Sequence, residues 1–379
     1  MRTAFVNARV LTREGFRDDV AVLVEDGIVR ALVASNDPRA RDAESCDLAG
    51  AFLLPGFIDC QVNGGGDVLF NDAPTVDAIR RIGAAHRRFG TTGFLPTLIS
   101  DDTDVMRAAI AAVDAAIVEG VPGMLGIHLE GPYLAPARRG VHDATKFRAP
   151  DSAEIELVSS LRNGKTVLTI APECVPVESI RELVRRGVIV CAGHTAATYA
   201  EMRVALDAGV RGFTHLYNAM SPLTVREPGV VGAALEDRAS WCGIVVDGHH
   251  VHPASLRIAL AAKPRGKLML VTDAMPPVGG NSETFALGGV EATCRDGRCE
   301  TSDGVLAGSA LDMAIAVRNA VRSLDVPLDE AARMASSYPA EFLGASGSRG
   351  AIAPGLRADF VELAADLSVG RTWIGGRAT

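Results

Sequence analysis

At 379 residues with 48% hydrophobic content, the chain is long enough to bury one large core beside a smaller one. Its formal net charge is −8, with Lys and Arg scattered rather than clustered, which excludes the electrostatic footprint of a nucleic-acid or acidic-membrane binder. No apolar run approaches the ~18 residues of a spanning helix, and Met1-Arg2-Thr3-Ala4-Phe5-Val6-Asn7 has no apolar leader, so a cytoplasmic protein with neither nucleic-acid nor membrane partners is expected.

Residues 1–54 read as short strands, at 4–10, 20–25 and 28–34, with a turn at Asp26-Gly27 and no helix-period pattern. From Leu54 onward apolar β-type runs alternate with amphipathic segments, the signature of βα units and a parallel sheet. Eight strands are predicted, at 55–62, 92–99, 124–130, 167–173, 188–194, 212–218, 241–247 and 267–273. Helices are predicted between them at 75–88, 103–118, 178–186 and 199–208. Eight such units close a TIM barrel. After Asp273 a Gly- and Pro-rich stretch leads into an inserted hairpin near 280–305, then a helix at 310–324. Strand character returns beyond Gly344. The fold expected is therefore α/β: a (β/α)8 TIM barrel over 55–344, with a small β-sandwich built from 1–54 and 345–379.

Seven cysteines are an odd number without a framework spacing. Cys60, Cys174, Cys191 and Cys242 stand in apolar contexts typical of buried thiols. Cys294 and Cys299 flank Arg295-Asp296-Gly297-Arg298 and can face each other across a hairpin, but a reducing compartment predicts thiols.

The chemistry sits at strand ends. Three motifs, His128-Leu129-Glu130-Gly131-Pro132, Gly193-His194-Thr195 and Thr214-His215-Leu216-Tyr217-Asn218-Ala219-Met220, end the third, fifth and sixth strands with a carboxylate and two imidazoles. A parallel barrel gathers those ends around one axis. One Glu oxygen and two His nitrogens suit one divalent ion per subunit, zinc or iron(II), with a coordination position open for water or substrate. Asp273 ends the eighth strand, where a carboxylate near activated water can act as general base and then general acid.

Together with Leu54-Pro55-Gly56-Phe57-Ile58-Asp59, Arg226-Glu227-Pro228-Gly229, Val271-Thr272-Asp273-Ala274 and Leu306-Ala307-Gly308-Ser309-Ala310, these motifs resemble the N-acetylglucosamine-6-phosphate deacetylase family of the amidohydrolase superfamily, over essentially the whole chain. The resemblance implies hydrolysis of N-acetyl-D-glucosamine 6-phosphate to D-glucosamine 6-phosphate and acetate, in amino-sugar salvage and cell-wall recycling. Alternatives are another N-acyl amino sugar, such as the galactosamine epimer, or a sugar-phosphate binder without catalysis. It also implies a homodimer in which the partner subunit can supply a phosphate ligand. Glu130, His194 and His215 would hold the metal and Asp273 would be the catalytic carboxylate. His142 would meet the sugar and acetyl group. Arg226 and His250 would grip the phosphate with backbone N–H groups of Asn218 and Ala219, and Leu306, Ala307 and Gly308 would line the substrate site; His249 and His252 would be incidental. Many amidohydrolases carry His-x-His at the end of the first strand. Here Gln61-Val62-Asn63 stands there, so Gln61 and Asn63 would be vestigial positions of a second metal site. At the end of strand four, Glu173 stands where dihydroorotase-like relatives carry a bridging lysine.

Overall fold

Eight short parallel strands make the larger sheet: β1 (Phe57–Val62), β2 (Thr91–Ile99), β3 (Gly126–Glu130), β4 (Lys165–Ile170), β5 (Ile189–Ala192), β6 (Gly212–Phe213), β7 (Trp241–Ile244) and β8 (Leu268–Leu270). The computed structural model describes residues 2–379. Strands adjacent in sequence are adjacent in the sheet, and a parallel bridge from Val62 to Ala274 joins the two edges. The expected (β/α)8 barrel is thus the observed one.

The strands that end in functional side chains are shorter than predicted. β5, β6 and β8 stop before His194, His215 and Asp273, whose φ angles are +48°, +31° and +54°. Non-glycine residues adopt left-handed backbone only where their surroundings over-determine it. At each of these ends the chain leaves the ladder and turns the side chain toward the barrel axis.

Beneath these ends lies a polar layer. His128 and Glu130 are two apart on β3 and share its inward face. His128 Nδ1 is 3.1 Å from Thr97 Oγ1 and Nε2 is 2.8 Å from Thr169 Oγ1, which lies 2.6 Å from Thr214 Oγ1. Burial pushes the His128 imidazole down to about 4, so it sits neutral in this threonine ring.

Helices Val76–Arg87, Thr103–Val118, Val177–Arg185 and Tyr199–Asp207 follow the predicted ones closely. The last starts on a capping box, Thr198 with Glu201, that satisfies two orphan N–H groups reciprocally. Where a hairpin was expected, a four-stranded antiparallel sheet appears: Thr284–Leu287, Val290–Arg295, Arg298–Thr301 and Leu306–Ser309. Its inner face, with Phe285, Leu287, Ala292, Cys294 and Cys299, packs on Leu69, Ile99 and Met275. Cys294 and Cys299 stand directly opposite in the register and are joined as a disulfide, not left as thiols.

The chain divides into two compact units. One comprises the residues up to Asp59, His86–Gly93 and Met313–Thr379; the other comprises Cys60–Ala85 and Phe94–Asp312. The first is wider than 1–54 plus 345–379 because side chains tie extra segments to the terminal strands. Thr372 Oγ1 donates to the Arg87 carbonyl (2.9 Å), Arg318 to that of Leu367 (3.1 Å) and Arg333 to that of Thr12 (3.2 Å). The predicted strand at 4–10 is broken by Asn7, at φ +53°, into Arg2–Val6 and Arg9–Leu11, which enter different sheets. Phe360–Leu363 pairs antiparallel with Phe52–Pro55, so the C-terminal segment completes the six-stranded sheet begun near the N-terminus. Along Val20–Glu25 the two-residue period divides the burial. Val20, Val22 and Val24 join Phe5, Leu53, Phe360 and Trp373, whereas Ala21 and Leu23 join Ala4, Val33 and Ala40.

Candidate functional site

The ends of the barrel strands open into a cavity of about 540 Å³ whose walls include Asn63, Glu130, His142, His194, His215 and Asp273. Glu130, His194 and His215 are all buried, and their ligand atoms converge: His215 Nε2 lies 2.8 Å and His194 Nε2 3.3 Å from Glu130 Oε1, and the two Nε2 atoms are 3.1 Å apart. His194 Nδ1 is 2.8 Å from the carbonyl of Arg138, which only accepts, so the proton is on Nδ1 and Nε2 presents a lone pair. A lone pair facing a carboxylate and a second imidazole nitrogen calls for a cation. Donors about 2.0–2.1 Å from a tetrahedral ion stand roughly 3.3 Å apart, so these three residues fit a divalent ion once the His215–Glu130 pair opens by about half an ångström.

The loop carrying His194 is built for close approach. A Cβ on Gly193 would stand 2.7 Å from Thr169 Cγ2, so only glycine lets β5 reach its neighbour there. Glu173, in the bridging-lysine position, turns instead to the next residues. Its carboxylate accepts from Thr195 Oγ1 and the Ala196 N–H, each at 2.6 Å.

Asp273 is held by two amides. Its Oδ1 accepts from Asn63 Nδ2 at 2.7 Å and from Gln61 Nε2 at 3.0 Å, and Gln61 Nε2 also lies 3.4 Å from both oxygens of Glu130. Burial, then the charge of Glu130, raises the Asp273 carboxyl above its ordinary value, which suits a base. Oδ2 faces His250 Nε2 at 3.9 Å, and His250 Nδ1 is 2.6 Å from Asp247 Oδ2. Asp247 in turn accepts the N–H groups of His249 and His250, at 2.8 and 2.9 Å. The His250 ring therefore stands beside Asp273, locked by a carboxylate that sequence reasoning passed over, although its spacing of three residues was visible.

His142 lies 4.4 Å from His194, ring to ring. Its Nδ1 receives the Ser100 N–H at 3.4 Å with Ser100 Oγ at 2.9 Å, so Nε2 carries the proton as a donor. Burial, then His194, pushes this imidazole down to about 3 and keeps it neutral. Leu306 and Gly308 line the cavity, while Ala307 is buried in the inserted sheet's core. Gly308 has φ +61°, and a Cβ there would stand 2.5 Å from Met275 Cε and 2.8 Å from the Asp273 carbonyl.

Of the residues expected to grip the phosphate, Asn218, Ala219 and His250 line the cavity and Arg226 does not. Arg226 is exposed, and the arginines on the cavity wall are Arg138 and Arg298. The Asn218 N–H already donates to the His215 carbonyl at 3.0 Å.

Residues 52–379 match the Amidohydrolase family. The chain belongs to that family. This amidohydrolase is 44% identical over 370 residues to the N-acetylgalactosamine-6-phosphate deacetylase of Shewanella sp. (strain ANA-3), covering 97% of the chain and 94% of the relative. It is 36% identical over 375 residues to the N-acetylglucosamine-6-phosphate deacetylase of Vibrio furnissii, covering 97% and 93%. The crystal structure of N-acetylglucosamine-6-phosphate deacetylase from Pasteurella multocida superposes with a TM-score of 0.96 at 34% identity, covering 100% of both chains. The fold and the catalytic class are thus those expected from the motifs, while the relatives divide between two sugar epimers.

Proposed function

We propose that the protein deacetylates N-acetyl-D-glucosamine 6-phosphate, releasing D-glucosamine 6-phosphate and acetate. The observation that carries the reading is the convergence of Glu130, His194 and His215 beside Asp273 in one cavity. Those three would hold one zinc or iron(II). What such an ion supplies when bound is Lewis acidity, toward water and toward the acetamide carbonyl. Asp273 takes the proton of the attacking water and delivers it to the leaving nitrogen, its Oδ1 fixed by Asn63 and Gln61. His142, neutral with its proton on Nε2, donates toward the acyl oxygen, where negative charge develops. A second reading, the N-acetylgalactosamine 6-phosphate epimer, is favoured by the Shewanella relative at 44% identity. Acetate release from both epimers, with and without the phosphate, decides between them; no release from any 6-phosphate by metal-loaded protein rejects both.

Two further outcomes are expected. Chelation should lower the melting temperature and metal should restore it, since a ligand at 100-fold excess over Kd stabilises by about 2.7 kcal/mol. In His194→Ala that increment should vanish; a native melting curve indifferent to metal would remove the proposed centre. Arg226 lies outside this chain's own cavity, so as a phosphate ligand it would serve the partner subunit of the expected homodimer, and Arg226→Ala should then raise KM for the phosphorylated sugar far more than for the unphosphorylated one. Equal effects would take Arg226 out of phosphate recognition.

A further inference from the structure

The end of β4 contributes none of the three proposed metal ligands, yet it reaches them through Thr195, the residue after His194. β4 leads into a short turn of 3₁₀ helix, Pro172–Cys174, which carries Glu173. Thr195 is fully buried and its polar groups are all committed. Its N–H donates to the Ala219 carbonyl at 3.0 Å and its carbonyl accepts the Ser221 N–H at 3.1 Å, a parallel bridge to the segment that follows His215. Its Oγ1 donates to Glu173 Oε2 at 2.6 Å and accepts the Ala197 N–H at 3.0 Å. The other carboxylate oxygen, Oε1, takes the Ala196 N–H at 2.6 Å. One carboxylate thus ties down two consecutive residues after His194 and, through Thr195, the chain that leaves His215.

The centre needs such a tie. Glu130 stands on β3 itself, whereas His194 and His215 stand beyond the ends of β5 and β6, so the turns that follow decide where their rings lie. His194, His215 and Ala219 all have positive φ, a conformation that non-glycine residues keep only where surrounding contacts enforce it. Hydrogen bonds to a carboxylate are stronger than those between neutral groups, which suits Glu173 to that enforcement.

We infer that Glu173 is a positioning residue for the metal centre: by holding Thr195 and Ala196 it keeps the imidazoles of His194 and His215 converged on one ion. The inference rests on the metal-dependent hydrolase reading. Outer groups that orient metal ligands typically set about 10–100-fold in metal affinity.

The test measures zinc affinity of the metal-stripped protein by competition with a chromophoric chelator, alongside the melting temperature of the stripped protein. Glu173→Ala should weaken zinc binding about 10–100-fold. Glu173→Gln keeps the reach and one acceptor oxygen, so its affinity should fall between those of Glu173→Ala and the native protein. A lower melting temperature of stripped Glu173→Ala with unchanged zinc affinity would make Glu173 a support of the fold alone and overturn the inference; so would a Gln variant as weak as the Ala variant. Should Glu173→Ala fail to fold, Thr195→Val decides, because it removes the same Oγ1 bond at nearly constant shape. Weaker zinc binding by Thr195→Val supports the inference, and native affinity overturns it. Failure of the native protein to bind zinc or iron(II) would overturn the metal centre itself, a result distinct from native and variant proteins binding equally well.

Discussion

Asp273→Asn is expected to lower kcat by about 10²–10⁴-fold while the protein keeps its metal. The substitution preserves shape, and the Asn oxygen can still accept from Asn63 and Gln61 at the position of Oδ1. What disappears is the carboxylate placed to take a proton from the attacking water and return it. Glu130 is unsuited, because its carboxylate is one of the three groups that would hold the metal. His194→Ala gives the contrast: it removes one of three converging donors, so metal content and turnover should fall together. Metal analysis and steady-state kinetics on the same two preparations check this. Loss of metal from Asp273→Asn would make Asp273 a ligand, and retention in His194→Ala would break the proposed ligand set.

The second large effect is on stability. Phe360 is fully buried in the terminal unit, edge-on to Phe5 at 5.2 Å between ring centroids. Its strand neighbours across the ladder are Pro55 and Trp373, the latter also packed on Phe5 at 5.2 Å. Phe360→Ala empties the centre of this aromatic cluster and should cost about 3–5 kcal/mol, a large share of the 5–15 kcal/mol by which domains are stable. Denaturant titration should show a lower midpoint with an unchanged slope. All the proposed metal and catalytic residues lie in the other unit, so kcat per folded molecule should hold. A shift below about 1 kcal/mol would mean that the cluster collapses around the gap.

The barrel was legible because burial on both faces of a parallel strand writes long apolar runs, and helices between them write a different period. Helix Thr103–Val118 matches its predicted span for that reason. Strand ends were misjudged where His194, His215 and Asp273 turn left-handed, since apolar pattern continues past the point where the ladder stops. The fourth strand of the inserted sheet, Leu306–Ser309, went unread because its partner, Arg298–Thr301, lies across an irregular register.

By itself the sequence determined which groups arrive at the mouth of the barrel. A carboxylate or imidazole at the last inward position of a strand can go nowhere else. Only the tertiary structure decided what those groups do there. The Arg138 carbonyl sets the His194 tautomer, Asp247 directs His250 toward Asp273, and Arg226 stays away from the cavity. Gln61 and Asn63, which by resemblance to other amidohydrolases stand as vestigial positions of a second metal site, are amide donors to Asp273, 212 and 210 residues away. Hydrogen-bond direction depends on which partner stands opposite, and no local pattern records a partner that distant.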